Sequence, residues 1–278
     1  MRAFLDFLED IWDWIIDHVK LVGAVAGGLV VIVILVAIAM RGCGPSEEGE
    51  QEVGRTEEEM SKDITLDLGG GVKMDFVWIT PLDGWMGKYE VSNAQFRRFR
   101  PEHDSKKYND YDLNTDSQPA VFVSYKDAKA FAKWLNSNTN MPSGYTVRIP
   151  GQTEWLTVAR CGDERPYPWG HEWPPPNSWN YHWKDGAGDW STLDGSTDGF
   201  PVTCPIEKSG ENAWGVFGMG GNVLEWTDEF DVTSRGGQVL RGASWGHFTV
   251  DTLRSERRFT TEPTTRTHDI GFRVCIVH

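Results

Sequence analysis

The segment Asn212–Trp245, NAWGVFGMGGNVLEWTDEFDVTSRGGQVLRGASW, decides how the rest of the chain is organised. It follows neither a helical nor a strand period, and it combines a glycine-rich turn with large aromatic side chains. Glycine permits backbone conformations that other residues resist, and it lets an ion or another segment approach the backbone closely. The segment therefore indicates an irregular and tightly packed centre.

Two interpretations apply to Asn222 and Glu225, which lie three residues apart beside those glycines. Their side-chain oxygens, together with neighbouring carbonyl oxygens, are ligands that a hard cation such as calcium prefers. The alternative is a helix that starts at Asn222, with Glu225 reaching back to close a capping box. The residues considered alone favour the helix cap.

Composition excludes one class of function and indicates an aromatic core. The chain has 278 residues, a formal net charge of −14 and a pI of about 4.9, which argues against nucleic-acid binding through a basic surface. Its 14 tryptophans can bury a large area with little regular secondary structure. The four cysteines, at 43, 161, 204 and 275, form neither a CxxC pair nor a zinc spacing, so they do not settle the redox compartment.

Residues 1–20 have the pattern of an amphipathic helix. Apolar residues recur at helical spacing, and five acids occupy the other side. Such a helix can lie on a membrane surface or pair with copies of itself. Because an acidic face is repelled by anionic lipid, we expect self-association and hence a homo-oligomer.

Residues 21–40 are predicted to cross a membrane once. They include no charge, and at about 1.5 Å per residue they span roughly 30 Å, the thickness of the hydrocarbon layer. A cleaved signal peptide fits poorly, because the apolar run is too long and follows an acidic helix. The positions of the flanking basic residues place the C-terminal domain outside the cytoplasm. Residues 41–63 are acidic and lack aromatics, which is typical of a disordered linker.

Residues 64–278 are predicted to form one globular domain of helices and strands. We expect helices over 92–99 and 124–135, capped by Ser92 and Ser124, and a turn followed by a helix over 148–160. Strands are expected over 72–79, 238–241 and 270–276. The segment 162–200 is rich in Pro, Gly and Trp and has no period, which indicates a loop that is functional or held by a ligand or ion.

Several motifs occur in a fixed order through this domain. They are Gly87–Asn93 (GKYEVSN), Arg148–Pro150 with Glu154 and Trp155, Tyr167–Gly170 (YPWG), Gly221–Trp226 (GNVLEW), Leu240–Trp245 (LRGASW) and Gly271–Arg273 (GFR). As a set they resemble the formylglycine-generating enzyme (sulfatase-modifying factor) family over about residues 70–276. The resemblance implies an α+β, C-type lectin-like fold that is rich in loops.

The resemblance also implies metal sites. One calcium site of the family corresponds to Asn180, Tyr181, Asp198 and Phe200, and a second corresponds to Gly221, Val223 and Glu225. Oxygen ligands of these kinds suit calcium, so we expect calcium in at least one of the two sites. The family oxidases hold copper with two cysteines shortly after the turn at 242–245, whereas residues 246–253 contain none. We therefore expect neither copper nor catalytic residues.

The segment that replaces the copper ligands resembles a different group of proteins with the same fold. Within residues 246–269, His, Phe, Asp and Thr residues lie between residues that we assign to the structural frame of the fold. This pattern resembles that of the variable proteins of diversity-generating retroelements. The predicted variable region spans 239–278. The alternative is an ordinary surface loop. The predicted ligand-binding residues are Gly246, His247, Phe248, Val250, Asp251, Phe259, Thr265, Thr267, His268 and Asp269.

These observations predict a membrane-anchored, non-catalytic binding protein that presents this segment to a protein or cell-surface ligand. The alternative is an oxidase, or another protein-modifying enzyme, that resembles the formylglycine-generating enzymes but uses different ligands. A third interpretation is a structural envelope component that assembles through residues 1–20.

Overall fold

The computed structural model describes residues 56–60, 62–173, 175–176, 179, 199–233, 237–247 and 249–278. The predicted helix at 1–20, the predicted span at 21–40 and most of the predicted linker lie outside these residues. Within the described part of the chain, no helix is both long enough and apolar enough to cross a membrane.

Five antiparallel strands form the first sheet. They are β1 (Ile64–Asp67), β2 (Lys73–Ile79), β3 (Gly84–Gly87), β6 (Thr146–Arg148) and β11 (Cys275–Val277), and their order across the sheet is β1-β2-β3-β11-β6. The last strand is thus inserted between β3 and β6, where its side chains are buried. The strand predicted over 72–79 is confirmed as β2.

Helices pack against this sheet, and the two that follow Ser92 and Ser124 begin where the sequence predicts. Ser92 and Ser124 are the N-caps of α2 and α3, and each closes a capping box, with Gln95 and Asp127 respectively. Phe96 of α2 and Phe131 of α3 stack in the main core with ring centroids 5.6 Å apart. The helices are α1 (Glu57–Met60), α2 (Asn93–Phe99), α3 (Tyr125–Asn138) and α4 (Gln152–Ala159).

Four strands form the second sheet, in the order β10-β7-β8-β9. The β10–β7 pair is parallel and the other two pairs are antiparallel, and the β7–β8 register shifts between Trp226 and Phe230. A separate hairpin consists of β4 and β5. The bounds are β4 (Lys107–Tyr108), β5 (Tyr111–Asp112), β7 (Leu224–Asp231), β8 (Gly237–Arg241), β9 (Phe259–Thr261) and β10 (Ile270–Gly271).

The prediction of one strand over 270–276 is wrong. The chain forms β10 in the second sheet and β11 in the first, and residues 272–274 connect them. The backbone oxygens of Phe272 and Val274 accept hydrogen bonds from Val91 N and Gly87 N, at 2.9 and 2.8 Å. A continuous run of buried residues cannot reveal this change of sheet, because both parts are equally apolar.

Two other expectations are also wrong. Asn222 does not cap a helix: its side-chain oxygen accepts a hydrogen bond from Cys204 N at 3.0 Å, and Glu225 lies in β7. The predicted linker is not disordered through residue 63. Thr56 and Glu59 form reciprocal side-chain to backbone hydrogen bonds at the start of α1, a local capping signal that the acidic composition obscured.

Candidate functional site

Three rings from separate segments form a cluster at the surface. Tyr108 lies in β4, Trp245 follows β8, and His268 precedes β10. The His268 ring stacks on Tyr108 with centroids 4.3 Å apart and an interplanar angle of 5°. Trp245 meets both rings edge-on, at 5.0 Å from Tyr108 and 5.5 Å from His268. All three residues are half-buried.

Backbone hydrogen bonds fix the two C-terminal members of this cluster. Trp245 N donates to Asn222 O, and Phe122 N donates to Thr267 O, both at 2.9 Å. Asn222 and Phe122 have φ values of 60° and 56°, in the left-handed region that few residues other than glycine adopt. The cluster is therefore positioned by unusual backbone conformations in the frame.

His247 and Phe259 extend the cluster towards β9. Their ring centroids are 4.9 Å apart. His247 Nδ1 accepts a hydrogen bond from Ser244 N at 3.0 Å and lies 2.8 Å from Ser244 Oγ, which assigns the ring proton to Nε2. Burial lowers the pKa of His247, Asp269 opposes that change, and Arg257 adds to it. His247 is therefore held as the neutral imidazole at neutral pH.

Asp269 connects the two groups of rings. It acts electrostatically on His247, and its carboxylate lies 3.9 Å from His268 Nδ1. We call these two groups of rings, together with Asp269, the display face. It consists of Tyr108, Trp245, His247, Phe259, His268 and Asp269.

Two cations lie over aromatic rings in or beside the display face. Lys106 Nζ lies 4.6 Å from the centroid of the Phe122 ring, and the Arg257 guanidinium lies 5.3 Å from that of Phe259. Both side chains are exposed, and no carboxylate of the described residues lies within ion-pair distance of either. A cation above a ring is stabilised by the ring's negative face and stays available to an anion.

The base of the display face contains two polar atoms without partners. Trp245 Nε1 and Thr267 Oγ1 are both inaccessible to solvent and have no hydrogen-bond partner among the described residues. A buried donor without an acceptor lowers the stability of the folded state by about 1–3 kcal/mol.

A second polar site lies in the interior. The carboxylate of Glu225 accepts two hydrogen bonds from Arg273, at 2.7 and 2.6 Å, and one from Trp155 Nε1 at 2.9 Å. All three side chains are fully buried. Because the guanidinium already binds both carboxylate oxygens, this arrangement does not fit a calcium ion held by Glu225, and the other predicted ligands, Gly221 and Val223, are buried beside it.

Glu90 lies next to this ion pair and has no cation of its own. It is fully buried, and its Oε1 has no hydrogen-bond partner among the described residues. Burial raises the pKa of Glu90 to about 7, while Arg273 opposes this rise and Glu225 adds to it. Two carboxylates thus share one guanidinium in the interior, which favours the protonated form of Glu90 near neutral pH.

Residues 47–277 match the family described as the sulfatase-modifying factor enzyme 1-like domain. The chain belongs to this family. It is 30% identical over 164 residues to the inactive C-alpha-formylglycine-generating enzyme 2 of Bos taurus, which covers 56% of the chain and 49% of that relative. It is 33% identical over 112 residues to the formylglycine-generating enzyme of Thermomonospora curvata, which covers 40% of the chain and 33% of that relative. The chain thus spans half or less of the length of these relatives.

Solved structures show the same fold. Treponema denticola variable protein 1 aligns with a TM-score of 0.58 and 18% identity, covering 77% of this chain and 98% of that one. PvdO from Pseudomonas aeruginosa aligns with a TM-score of 0.53 and 20% identity, covering 78% of this chain and 91% of that one. The predicted family and its α+β, lectin-like fold are confirmed for the described residues, and so is the resemblance to a variable protein at the level of fold.

This sulfatase-modifying factor domain keeps its described cysteines away from its surface. Cys161, Cys204 and Cys275 are buried and form no disulfide. Burial raises the pKa of the Cys161 thiol to about 11 and that of Cys275 to about 12. A reactive thiol needs a lowered pKa and access to solvent, so neither Cys161 nor Cys275 is suited to thiolate chemistry.

The structure places the predicted ligand-binding residues in two regions of the domain. His247, Phe259, His268 and Asp269 lie together in the display face. Val250 is 40% exposed, and Asp251 pairs with Arg254 at 3.8 Å, in a turn that packs near Tyr167.

The remaining predicted residues make contacts within the domain or lie outside the described residues. Thr265 and Thr261 share a hydroxyl hydrogen bond of 3.0 Å, and Gly246 is half-buried beside Ser244. The backbone oxygen of Thr267 accepts a hydrogen bond from Phe122 N, which positions the neighbouring His268. Phe200, the described member of the first predicted calcium site, lies 5.9 Å from Lys208 Nζ. Phe248, Asn180, Tyr181 and Asp198 lie outside the described residues.

Sequence reasoning missed Tyr108, Trp245 and the flanking cations as parts of the surface. The two-residue turn Asn109–Asp110 between tyrosines signals a hairpin, but nothing local shows that it meets a segment more than 130 residues later. That contact depends on the fold alone.

Proposed function

We propose that this chain is a non-catalytic binding protein whose display face contacts a protein ligand. The observation that carries the proposal is the two groups of half-buried rings that the fold assembles from four separate segments, at 108, 245–247, 259 and 268. Aromatic, imidazole and arginine side chains beside short polar ones are the usual composition of protein-contact surfaces. Residues 246–253, where family oxidases hold copper, contain no cysteine.

The likeness to relatives supports the proposal in two ways. One relative in the family is named an inactive enzyme, and the structure with a TM-score of 0.58 is named a variable protein. Both names are consistent with a family fold that is used for binding and not for oxidation. We further propose that residues 21–40 anchor the chain in a membrane, with the domain extracytoplasmic and residues 1–20 promoting self-association, on the basis of the uncharged run and the amphipathic pattern.

Site-specific photo-crosslinking tests the proposed function. A benzophenone amino acid replaces Phe259 in the full chain, and the matched control replaces Phe230, which is 53% exposed at the end of β7 and outside the display face. On cells or envelope fractions we expect a discrete protein adduct from position 259 only, which disappears in the Trp245→Ala background. Equal adducts from both positions, or none from position 259, would contradict the proposal.

Sequencing the gene in many isolates tests the diversification part. We expect changes at 247, 250, 251, 259, 268 and 269 with constant frame residues such as Arg273. Uniform residues at these positions would remove diversification and leave a fixed binding surface.

The family also supports one enzymatic alternative, because several relatives are named formylglycine-generating enzymes. Incubation of the purified full chain with a cysteine-containing peptide, followed by mass spectrometry of the peptide, distinguishes the two. Conversion of the cysteine to an aldehyde would replace the binding proposal with an oxidase.

A further inference from the structure

We propose that the partner of the display face is an acidic protein segment that inserts a large apolar or aromatic side chain between carboxylates. The proposal rests on the proposed function and adds the chemical class of the partner. Its basis is the presence of two exposed cations, Lys106 and Arg257, that have no carboxylate partner among the described residues and lie over rings in or beside the display face.

The charge of the C-terminal segment, residues 239–278, favours an acidic partner. The whole chain has a net charge of −14, but residues 239–278 hold six arginines and four acids. Three of these arginines are paired within the domain: Arg254 with Asp251, Arg258 with Asp231 and Arg266 with Asp127. Arg273 is paired in the interior, and Arg241 is buried with its guanidinium bonded to Gln152 and to backbone oxygens. Arg257 thus remains the arginine of this segment that projects into solvent without a described carboxylate.

Both flanking cations are pre-positioned. Each lies over an aromatic ring that the fold positions: Phe122 packs against the same buried cluster as Tyr108 and Trp245, and Phe259 lies in β9. A cation that is already ordered loses less conformational entropy when it binds an anion than a freely rotating lysine does. Lys106 and Arg257 are therefore suited to receive carboxylates.

The centre of the face is suited to a ring or branched apolar side chain. The Tyr108–His268 stack gives a flat surface bordered by the edge of Trp245. The buried Trp245 Nε1 lies beneath this surface and does not take part in the contact. Large apolar side chains in such central positions usually carry most of the binding energy, while flanking charges set partner choice.

Binding of three synthetic peptides to the full chain tests this inference. The probes are the acetylated and amidated peptides EEWEE, QQWQQ and KKWKK, measured by calorimetry at low and high NaCl. We expect EEWEE to bind at least about tenfold more tightly than QQWQQ, no binding of KKWKK, and weakening of EEWEE binding by salt.

Four variants locate the site. Lys106→Ala and Arg257→Ala should each weaken EEWEE binding by about two- to fivefold, and Tyr108→Ala by about tenfold. The matched control is Lys88→Ala, because Lys88 also stacks on rings, those of Tyr89 and Phe217, but lies outside the display face. Lys88→Ala should bind EEWEE as the unaltered chain does. Thermal unfolding of each variant verifies that it is folded.

Several outcomes would overturn the inference. Equal affinity for EEWEE and QQWQQ, equal loss in Lys88→Ala, or absence of EEWEE binding at millimolar concentration would each exclude an acidic segment as the partner. Binding of simple sugars in place of the peptides would assign the face to carbohydrate. The crosslinking experiment judges the proposed function separately, so a protein adduct from position 259 with no preference for EEWEE would overturn only this inference.

Discussion

At the scale of single residues, the buried carboxyl of Glu90 is the group whose charge state the fold controls most directly. Its neighbours are Arg273, which is already bonded to Glu225, and the backbone of Gly218. The interior therefore favours the neutral acid, and this makes the stability of the domain depend on pH.

The pH dependence has a defined sign. The pKa of Glu90 is about 7 in the folded chain against an ordinary value of 4.5. Between these values the folded state holds a proton that the unfolded state releases, so the contribution of Glu90 to stability is complete below about 4.5 and is lost as pH rises to 7. We expect Glu90→Gln to stabilise the chain relative to the unaltered protein at pH 8 by up to about 3 kcal/mol, and to lose this advantage at pH 5.

Denaturant unfolding of both proteins from pH 4.5 to 8 measures this difference. The control is Glu211→Gln, because Glu211 is exposed. His103 has a pKa lowered to about 4 by burial, so its contribution changes in the opposite direction, falling as pH falls below 6.5. The contribution of His103 is the same in Glu90→Gln and in the unaltered chain, so it cancels when their unfolding free energies are subtracted. A difference in unfolding free energy between these two proteins that does not vary with pH would refute the prediction for Glu90.

The position of the Glu90 carboxyl leaves no space for a side chain at residue 218, which is Gly218. It has a φ of 73°, and a Cβ at this position would lie 2.2 Å from Glu90 Oε1. Gly218→Ala combines an unfavourable backbone conformation with a clash, and we expect it to destabilise the chain by about 3 kcal/mol or more. Gly71→Ala is the control, since Gly71 has a φ of 80° with nothing within 4 Å and should cost only about 1 kcal/mol. Similar unfolding free energies for the two variants would show that the space at Gly218 is not limiting.

At the scale of elements, α3 completes the edge of the first sheet. β6 is the last strand, and its Val147 has no further strand to bond. Asn136 of α3 substitutes for one: its amide donates to Val147 O at 2.8 Å and accepts from Val147 N at 2.7 Å. The helix therefore satisfies an edge that would otherwise expose strand hydrogen-bonding groups.

Removal of this side chain should loosen the edge. We expect Asn136→Ala to lower the free energy of unfolding by about 1–3 kcal/mol, because both backbone groups of the half-buried contact lose their partners. Asn138→Ala, two residues along the same helix and exposed, should change it by less than about 0.5 kcal/mol. Hydrogen exchange at Val147 N provides a local readout, and unchanged protection there would contradict the role of Asn136.

At the scale of the whole molecule, one side chain joins the two sheets. Arg273 lies between β10 and β11, and it bonds Glu225 of β7, the oxygen of Gly87 in β3 at 3.1 Å and that of Phe217 at 2.7 Å. Strands of both sheets and the glycine-rich segment thus meet at one guanidinium.

Loss of Arg273 should affect the whole domain. Arg273→Met leaves the Glu225 carboxylate buried without its cation, and we expect a loss of about 3–5 kcal/mol in unfolding free energy. The double variant Arg273→Met/Glu225→Gln removes that charge while keeping an acceptor for Trp155, and should recover part of the loss. Arg258→Met, which breaks a half-exposed pair with Asp231, should cost less than about 1 kcal/mol. Equal stability of the single and double variants would show that the charge of Glu225 does not matter.

The local elements were predictable because their signals are local. The capping serines of α2 and α3, the alternation in β2 and the ordered motifs of the family all depend on residues within a few positions of each other. The C-terminal segment was also identified as a surface, since its residue types differ from the buried frame on either side. The break between β10 and β11 was missed because a buried run has the same composition in one sheet or two.

The amino-acid sequence by itself determined the family, the capped helices and the segment of residues that faces outward, because these depend on short-range pattern and residue type. Only the tertiary structure decided that Tyr108 stacks on His268, that Lys106 lies over Phe122, and that Arg273 binds Glu225. Each of these contacts joins residues that are far apart in the chain, and their distance is set by how the two sheets and the connecting loops pack.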